Sequence, residues 1–189
     1  MRGRLYLSEV DEYRDDTGNY DQIILLDALS SFDSAIEYNR ESGLAWLGRS
    51  RTLRYQESYN EAEIALVRAR RLIPDHPSIP LEEAQLSLDL GKLDQANVMI
   101  SEASTQLQDN SSIPFIKGLI AARKGNLAEA QDLFTRTLEM DNNHVRARLN
   151  RCSAALLQEE LSLDLDDANF LVENRPNLIP RIDVYYRRN

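Results

Sequence analysis

Residues 111–144, SSIPFIKGLIAARKGNLAEAQDLFTRTLEMDNNH, read as two short helices joined by a turn. The first helix is apolar at Phe115, Ile116, Leu119 and Ile120, with the small residues Gly118 and Ala121 between them. Gly125-Asn126 ends it, because glycine adopts the positive φ that terminates helices and asparagine tolerates it. The second helix carries Leu127, Ala130, Leu133, Phe134, Thr137 and Leu138 at i, i+3, i+4 and i+7 spacing, the mark of one packed face. Asp141-Asn142-Asn143 then turns the chain.

The same pattern returns every 34 residues in both directions. Gly125 steps back to Gly91, and Ala130 steps back through Ala96 and Ala62 to Ala28. Phe134 steps back through Ile100 and Leu66 to Phe32, and Thr137 through Ala103 and Ala69 to Ala35. Ser112-Ile113-Pro114 steps back to Ser78-Ile79-Pro80, and Pro74 steps forward to Pro176. A fixed period held through several steps without insertion is the signature of a helical repeat array. In the first helices Ser50, Ala84, Gly118 and Cys152 are in phase and all small, which allows close helix approach. Cys152 therefore reads as a packing residue.

GNLAEAQDLFTRTLEMDNN resembles the tetratricopeptide repeat (TPR), and the resemblance extends over roughly residues 21–178. It implies an all-α fold, a right-handed α-solenoid of stacked antiparallel helix pairs with about five units, degenerate at both ends. The expected organisation is a degenerate N-terminal repeat or cap at 1–42 and four repeats at 43–76, 77–110, 111–144 and 145–178. A capping or truncated helix follows at 179–189. Residues 21–39 read as one amphipathic helix with Leu25, Ala28, Leu29, Phe32, Ala35 and Ile36 on its face, and Leu5 to Arg14 as a short helix before it. The fifth unit departs from the pattern, with Asp164 where Ala28, Ala62, Ala96 and Ala130 stand and Leu171 in place of a small residue. No Gly/Ser linker interrupts the array, so one continuous domain is expected.

Composition narrows the class of function. The 189 residues have a formal net charge of −9, which disfavours nucleic acid, since phosphate binding needs clustered cations. No segment approaches the roughly 20 apolar residues of a membrane span. The single cysteine and the absence of a signal-like apolar run near the N-terminus make a cytoplasmic protein the simplest reading. His76 and His144 lie 68 residues apart, in equivalent turns two repeats from each other, and read as polar turn residues rather than metal ligands. Neither a phosphate loop nor a tuned carboxylate pair is evident, so no enzyme activity, cofactor or metal is expected.

The resemblance implies binding of a peptide or protein surface in a concave groove lined by the first helices. Carried over by phase, the groove residues are Leu47, Arg51 and Arg54, then Leu81 and Gln85, then Phe115 and Leu119, then Leu149 and Ser153; Tyr55 and Arg123 are added beside them on the expected concave surface. Leu88, Ala122 and Leu156 continue the stripe. Arg49, Arg51 and Arg54 with Tyr55 form a cationic and aromatic spot suited to an acidic or C-terminal peptide group, or else paired with nearby Glu on a solvated face. One departure leaves the orientation open. Arg49, Glu83, Lys117 and Arg151 stand where the family has a buried leucine, so Leu47, Leu81, Phe115 and Leu149 face either the groove or the core. Asn150 resembles one residue of the clamp by which some members hold the C-terminus of heat-shock chaperones. Phe115 and Leu119 replace the Lys and Asn that the clamp needs, which disfavours a co-chaperone of that kind.

The reading is a protein-interaction module, an adaptor or scaffold, with a protein or peptide partner. The adaptor reading makes the chain one part of a larger complex; the alternatives are a dedicated chaperone for a secreted or unassembled client and a structural spacer that self-associates through its ends. The packing reading generates a direct test. Ala96→Leu or Ala130→Leu should overpack a close helix contact and cost about 1–3 kcal/mol, read as a lowered urea midpoint; unchanged midpoints in both would show that these alanines are not at a close contact.

Overall fold

A computed structural model describes residues 22–158, together with Asp167 and Phe170. Among the described residues the chain forms eight α-helices and no strand. They are α1 (Gln22–Tyr38), α2 (Gly43–Tyr55), α3 (Tyr59–Leu72), α4 (Ser78–Asp89), α5 (Leu93–Gln106), α6 (Ser112–Arg123), α7 (Leu127–Met140) and α8 (Val145–Leu157). The expected helix at 5–14, the substitutions at Asp164 and Leu171, Pro176 and the 179–189 tail lie outside the described residues. The chain divides into two compact units, Met1–Met99 and Ile100–Asn189, rather than one; the division falls within α5, not at a linker.

The helices begin and end where local chemistry repeats. Three helix-ending turns put a residue at positive φ: Glu57 at 60°, Gly91 at 72° and Gly125 at 82°. They are successive members of one 34-residue column. Each turn closes with the same pair of backbone bonds. The N–H of Glu57 donates to the Arg54 carbonyl and that of Ser58 to Leu53; Gly91 and Lys92, then Gly125 and Asn126, repeat the arrangement. This is the Schellman termination, which needs a left-handed residue at that point. The turns between repeats are also copies. The N–H groups of Ser42, His76, Asn110 and His144 donate to the carbonyls of Asn39, Ile73, Leu107 and Asp141. Both histidines then accept from the start of the next helix: His76 Nδ1 from the Ser78 N–H at 3.3 Å, His144 Nδ1 from the Ala147 N–H at 3.1 Å. Asn110 Oδ1 does the same with Ser112 at 2.9 Å.

Packing follows the small and large columns. Ala28, Ala62, Ala96 and Ala130 are fully buried, as are Ile100 and Phe134, with Leu66 and Phe32 nearly so. In the first unit, Leu47 and Leu53 of α2 join Ala62, Ala65, Leu66 and Ala69 of α3 and Ile79 and Leu86 of α4 in one cluster. Ser50 lies against α3 so closely that its hydroxyl donates to the Ala62 carbonyl at 2.9 Å. In the second unit Gly118 occupies the same column, and a Cβ there would stand 2.7 Å from Phe134 Cε1. Cys152, in phase with both, is buried as expected of a packing residue. Ala35 differs from expectation: it is exposed, so the first copy of this column is not packed as Ala69, Ala103 and Thr137 are.

Glu57 is the one non-glycine residue at positive φ among those described. The left-handed conformation costs an L-residue about 1–2 kcal/mol. Gly125→Ala should therefore lower stability by about 1 kcal/mol, while Glu57→Gly should not lower it, because relief of strain offsets the greater freedom of the unfolded glycine chain. Urea midpoints of the two variants check the asymmetry.

Candidate functional site

The first helices of neighbouring repeats touch within each unit, α2 with α4 and α6 with α8. The side chains assigned to a groove divide into two sets. Leu47, Leu81, Phe115 and Ser153 are buried, with exposures of 5%, 8%, 5% and 3%. Arg51, Arg54, Tyr55, Gln85, Leu119 and Leu149 are half-buried, and Arg123 is exposed. Of the two orientations left open by the sequence, the burial of Leu47, Leu81 and Phe115 agrees with the one that sets them in the core. Phe115 lies 6.0 Å from the Phe134 ring and 4.5 Å from the His144 ring, with the Arg146 guanidinium 5.0 Å from its centre. The Ser153 hydroxyl donates to the Leu149 carbonyl of its own helix at 2.7 Å.

The cationic spot on α2 is not an empty anion site. Arg51 and Arg54, three residues apart on one helix face, both reach the carboxylate of Glu82 on α4. Arg51 Nε donates to Glu82 Oε2 at 2.9 Å, and Arg54 Nε to Oε1 at 2.7 Å. Arg54 also donates to Asp89 Oδ2 at 3.0 Å and to Gln85 Oε1 at 2.8 Å, and its guanidinium lies 4.6 Å from the centre of the Tyr55 ring. Glu82 is fully buried, whereas the Arg51 side chain keeps 31% of its surface exposed. Burial pushes the Glu82 carboxyl up, but the guanidiniums of Arg54 and Arg51 outweigh it and hold the group below its usual range. Burial likewise opposes the charge on both arginines, and the adjacent Glu82 carboxylate reverses that, leaving both above the usual arginine value.

The second unit uses the same device with different residues. Arg148 Nη1 and Arg151 Nε, again three apart on a first helix, donate to the two oxygens of buried Asp167, each at 2.7 Å. Arg148 lies 4.2 Å from the Phe170 ring and also donates to the carbonyl and side-chain oxygens of Asn142. Three of the four charged residues at the family's leucine position, all but Lys117, are explained in the same way. Arg49 pairs with Asp33 at 2.7 Å, Glu83 with Arg70, and Arg151 with Asp167. Arg151 also donates to Thr135, three repeats on from the Arg49–Asp33 pair and in the same register.

Sequence reasoning missed Glu82 and Asp167. A signal existed for the first: one step of 34 carries the core residue Ile116 back onto Glu82. A carboxylate in a core column must be paired, and the two arginines one helix away are its natural partners. Among the described residues no group of three or more His, Cys, Asp or Glu could hold a metal, and no helix is long and apolar enough to cross a membrane.

The architecture is that of a tetratricopeptide-repeat protein, an all-α repeat of helix pairs. No family model matches the sequence, and no curated protein matches it either. Solved structures do match the fold. One is YrrB, described as a TPR protein with an unusual peptide-binding site: TM-score 0.57 and 20% identity, over 99% of this chain and 89% of that one. Another is the Cut9–Hcn1 hetero-tetramer of the APC/C: TM-score 0.75 and 17% identity, over 98% of this chain but 39% of that one. A third is TTC0263, a thermophilic TPR protein of Thermus thermophilus: TM-score 0.60 and 18% identity, over 82% of this chain and 89% of that one.

The Glu82 cluster generates a prediction. Glu82→Ala leaves two part-buried guanidiniums without their carboxylate and should cost about 3–5 kcal/mol. Glu82 has a folded pKa below its unfolded value of about 4.3, so its contribution is complete above that pH and is lost as pH falls through the folded value. Urea unfolding at stepped pH should therefore show the difference between wild type and Glu82→Gln constant near neutrality and shrinking below about pH 4.

Proposed function

We propose that this chain is a protein-interaction module, an adaptor or scaffold within a larger assembly, that binds a peptide or protein surface along its first helices. The reading is non-enzymatic and cytoplasmic and requires no cofactor. The observation that supports it best is the fixed surface around Arg54. One guanidinium is held by Glu82, Asp89 and Gln85 and lies over Tyr55, so the neighbouring Arg51, Tyr55 and Gln85 side chains are ordered before a ligand arrives. A preformed surface loses little conformational entropy on binding. In the second unit Leu119, Arg123 and Leu149 are the corresponding contact residues. The peptide-binding site attributed to YrrB, a protein of the same fold, points in the same direction.

Burial of Leu47, Leu81 and Phe115 weighs against a chaperone that holds a client on a broad apolar groove. It also changes which mutations report on binding. Arg51→Glu and Arg54→Glu would set a carboxylate beside buried Glu82 and unfold the cluster, so they cannot test ligand contact alone. Site-specific photo-crosslinkers avoid this. Placed at Gln85 or Leu119, they should capture partner protein in cell extract, whereas the same probe at exposed Arg136 on α7 should not. Capture from Arg136 alone would contradict binding along the first helices.

A further inference from the structure

The outer face of α3 has a pattern that first-helix binding does not use. Its core face carries Ala62, Ala65, Leu66 and Ala69, all buried. On the opposite side Asn60, Ile64, Val67 and Arg71 form a second stripe at helical spacing. Ile64 and Val67 are 68% and 64% exposed at its centre. Val98, the counterpart of Ile64 one repeat on, is 60% exposed as well. Charge is divided along the helix. The acids Glu61 and Glu63 lie in its first half, and the bases Arg68, Arg70 and Arg71 in its second.

We propose that this face binds a second copy of the same chain through antiparallel α3 helices. Consider a two-fold axis that crosses α3 between Ala65 and Leu66. It sets Ile64 against Val67 of the second copy, and Val67 against its Ile64. An antiparallel pair related in this way brings like flanks together. Glu61 and Arg68, seven residues and about two turns apart, share one flank. The axis therefore places Glu61 near Arg68 of the second copy, and does so twice, with Asn60 opposite Arg71 at each end. Glu63 and Arg70 share the other flank and meet by the same rule, although both already have partners in their own chain, Lys92 and Glu83. A parallel pairing would put acid against acid and base against base. Self-complementarity of this kind is what a closed two-fold interface requires. One helix pair buries less than the standard interface of about 1,600 Å², so the dimer is weak and concentration-dependent.

Sedimentation velocity of the full chain over a wide concentration range tests the proposal. Wild type should shift from monomer to dimer. Glu61→Arg and Arg68→Glu each turn both ion pairs into like-charge contacts and should each weaken self-association about tenfold. An equimolar mixture of the two variants sets the wholly basic flank of one against the wholly acidic flank of the other, and should recover wild-type association. Ile64→Ser should abolish dimerisation with helical circular dichroism unchanged, which separates loss of contact from loss of fold. A wild type that stays monomeric at every concentration overturns the proposal. So does a mixture that associates no better than its components.

Discussion

Where two helices of this chain meet, one supplies a small side chain and the other a large one, and the backbones close until the large group fills the gap. Phe134 seated against Gly118 and Phe32 seated against Gly48 are two results of the same constraint. No single helix pair of this length buries enough to stand alone, so the columns must stay in phase from one pair to the next. The turns keep that phase. Copies of the same backbone hydrogen bonds recur at 34-residue steps, and the residue that must take positive φ always falls at the same place.

The charged side chains follow from that geometry. A first helix in this chain carries Arg49, Glu83 or Arg151 where a buried leucine would serve, and each finds an ion-pair partner on a neighbouring helix. Glu82 and Asp167 go further, being fully buried and each gripped by two arginines three residues apart. Buried ion pairs add little net stability over apolar packing, but they penalise any alternative that separates them. Here such a pair joins α2 to the helix of the next repeat, so it fixes register between repeats as well as holding them together. The same pairing sets the character of the candidate surface. The guanidiniums that look available in the sequence are already partnered, and the Arg51 side chain keeps 31% of its surface exposed.

The fold was largely legible because it is periodic. The alanine column, the turn glycines and the bulky residue four positions on are local features that repeat, and repetition distinguishes them from chance. The site was legible only in part. Whether Leu47, Leu81 and Phe115 face a groove or a core depends on a modest rotation of the first helix about its axis. The pattern of apolar residues does not fix that rotation when the family's leucine is replaced by charge. Glu82 was hidden for a related reason: its partners lie 28 and 31 residues away, and their proximity follows from packing between repeats rather than from spacing within a helix. Asp167 lies in the unit where the repeat pattern is weakest, so no column marked it in advance.

Arg51 and Arg54 hold the next repeat through Glu82 rather than wait for a ligand. Nitrogen-15 spectra of the arginine Nε–H groups in the intact, ligand-free chain test this most directly. Arg51 and Arg54 should give two slowly exchanging, well-dispersed signals, both displaced in Glu82→Gln. Signals at the position of a solvated arginine, exchanging rapidly with water and indifferent to Glu82, would contradict it.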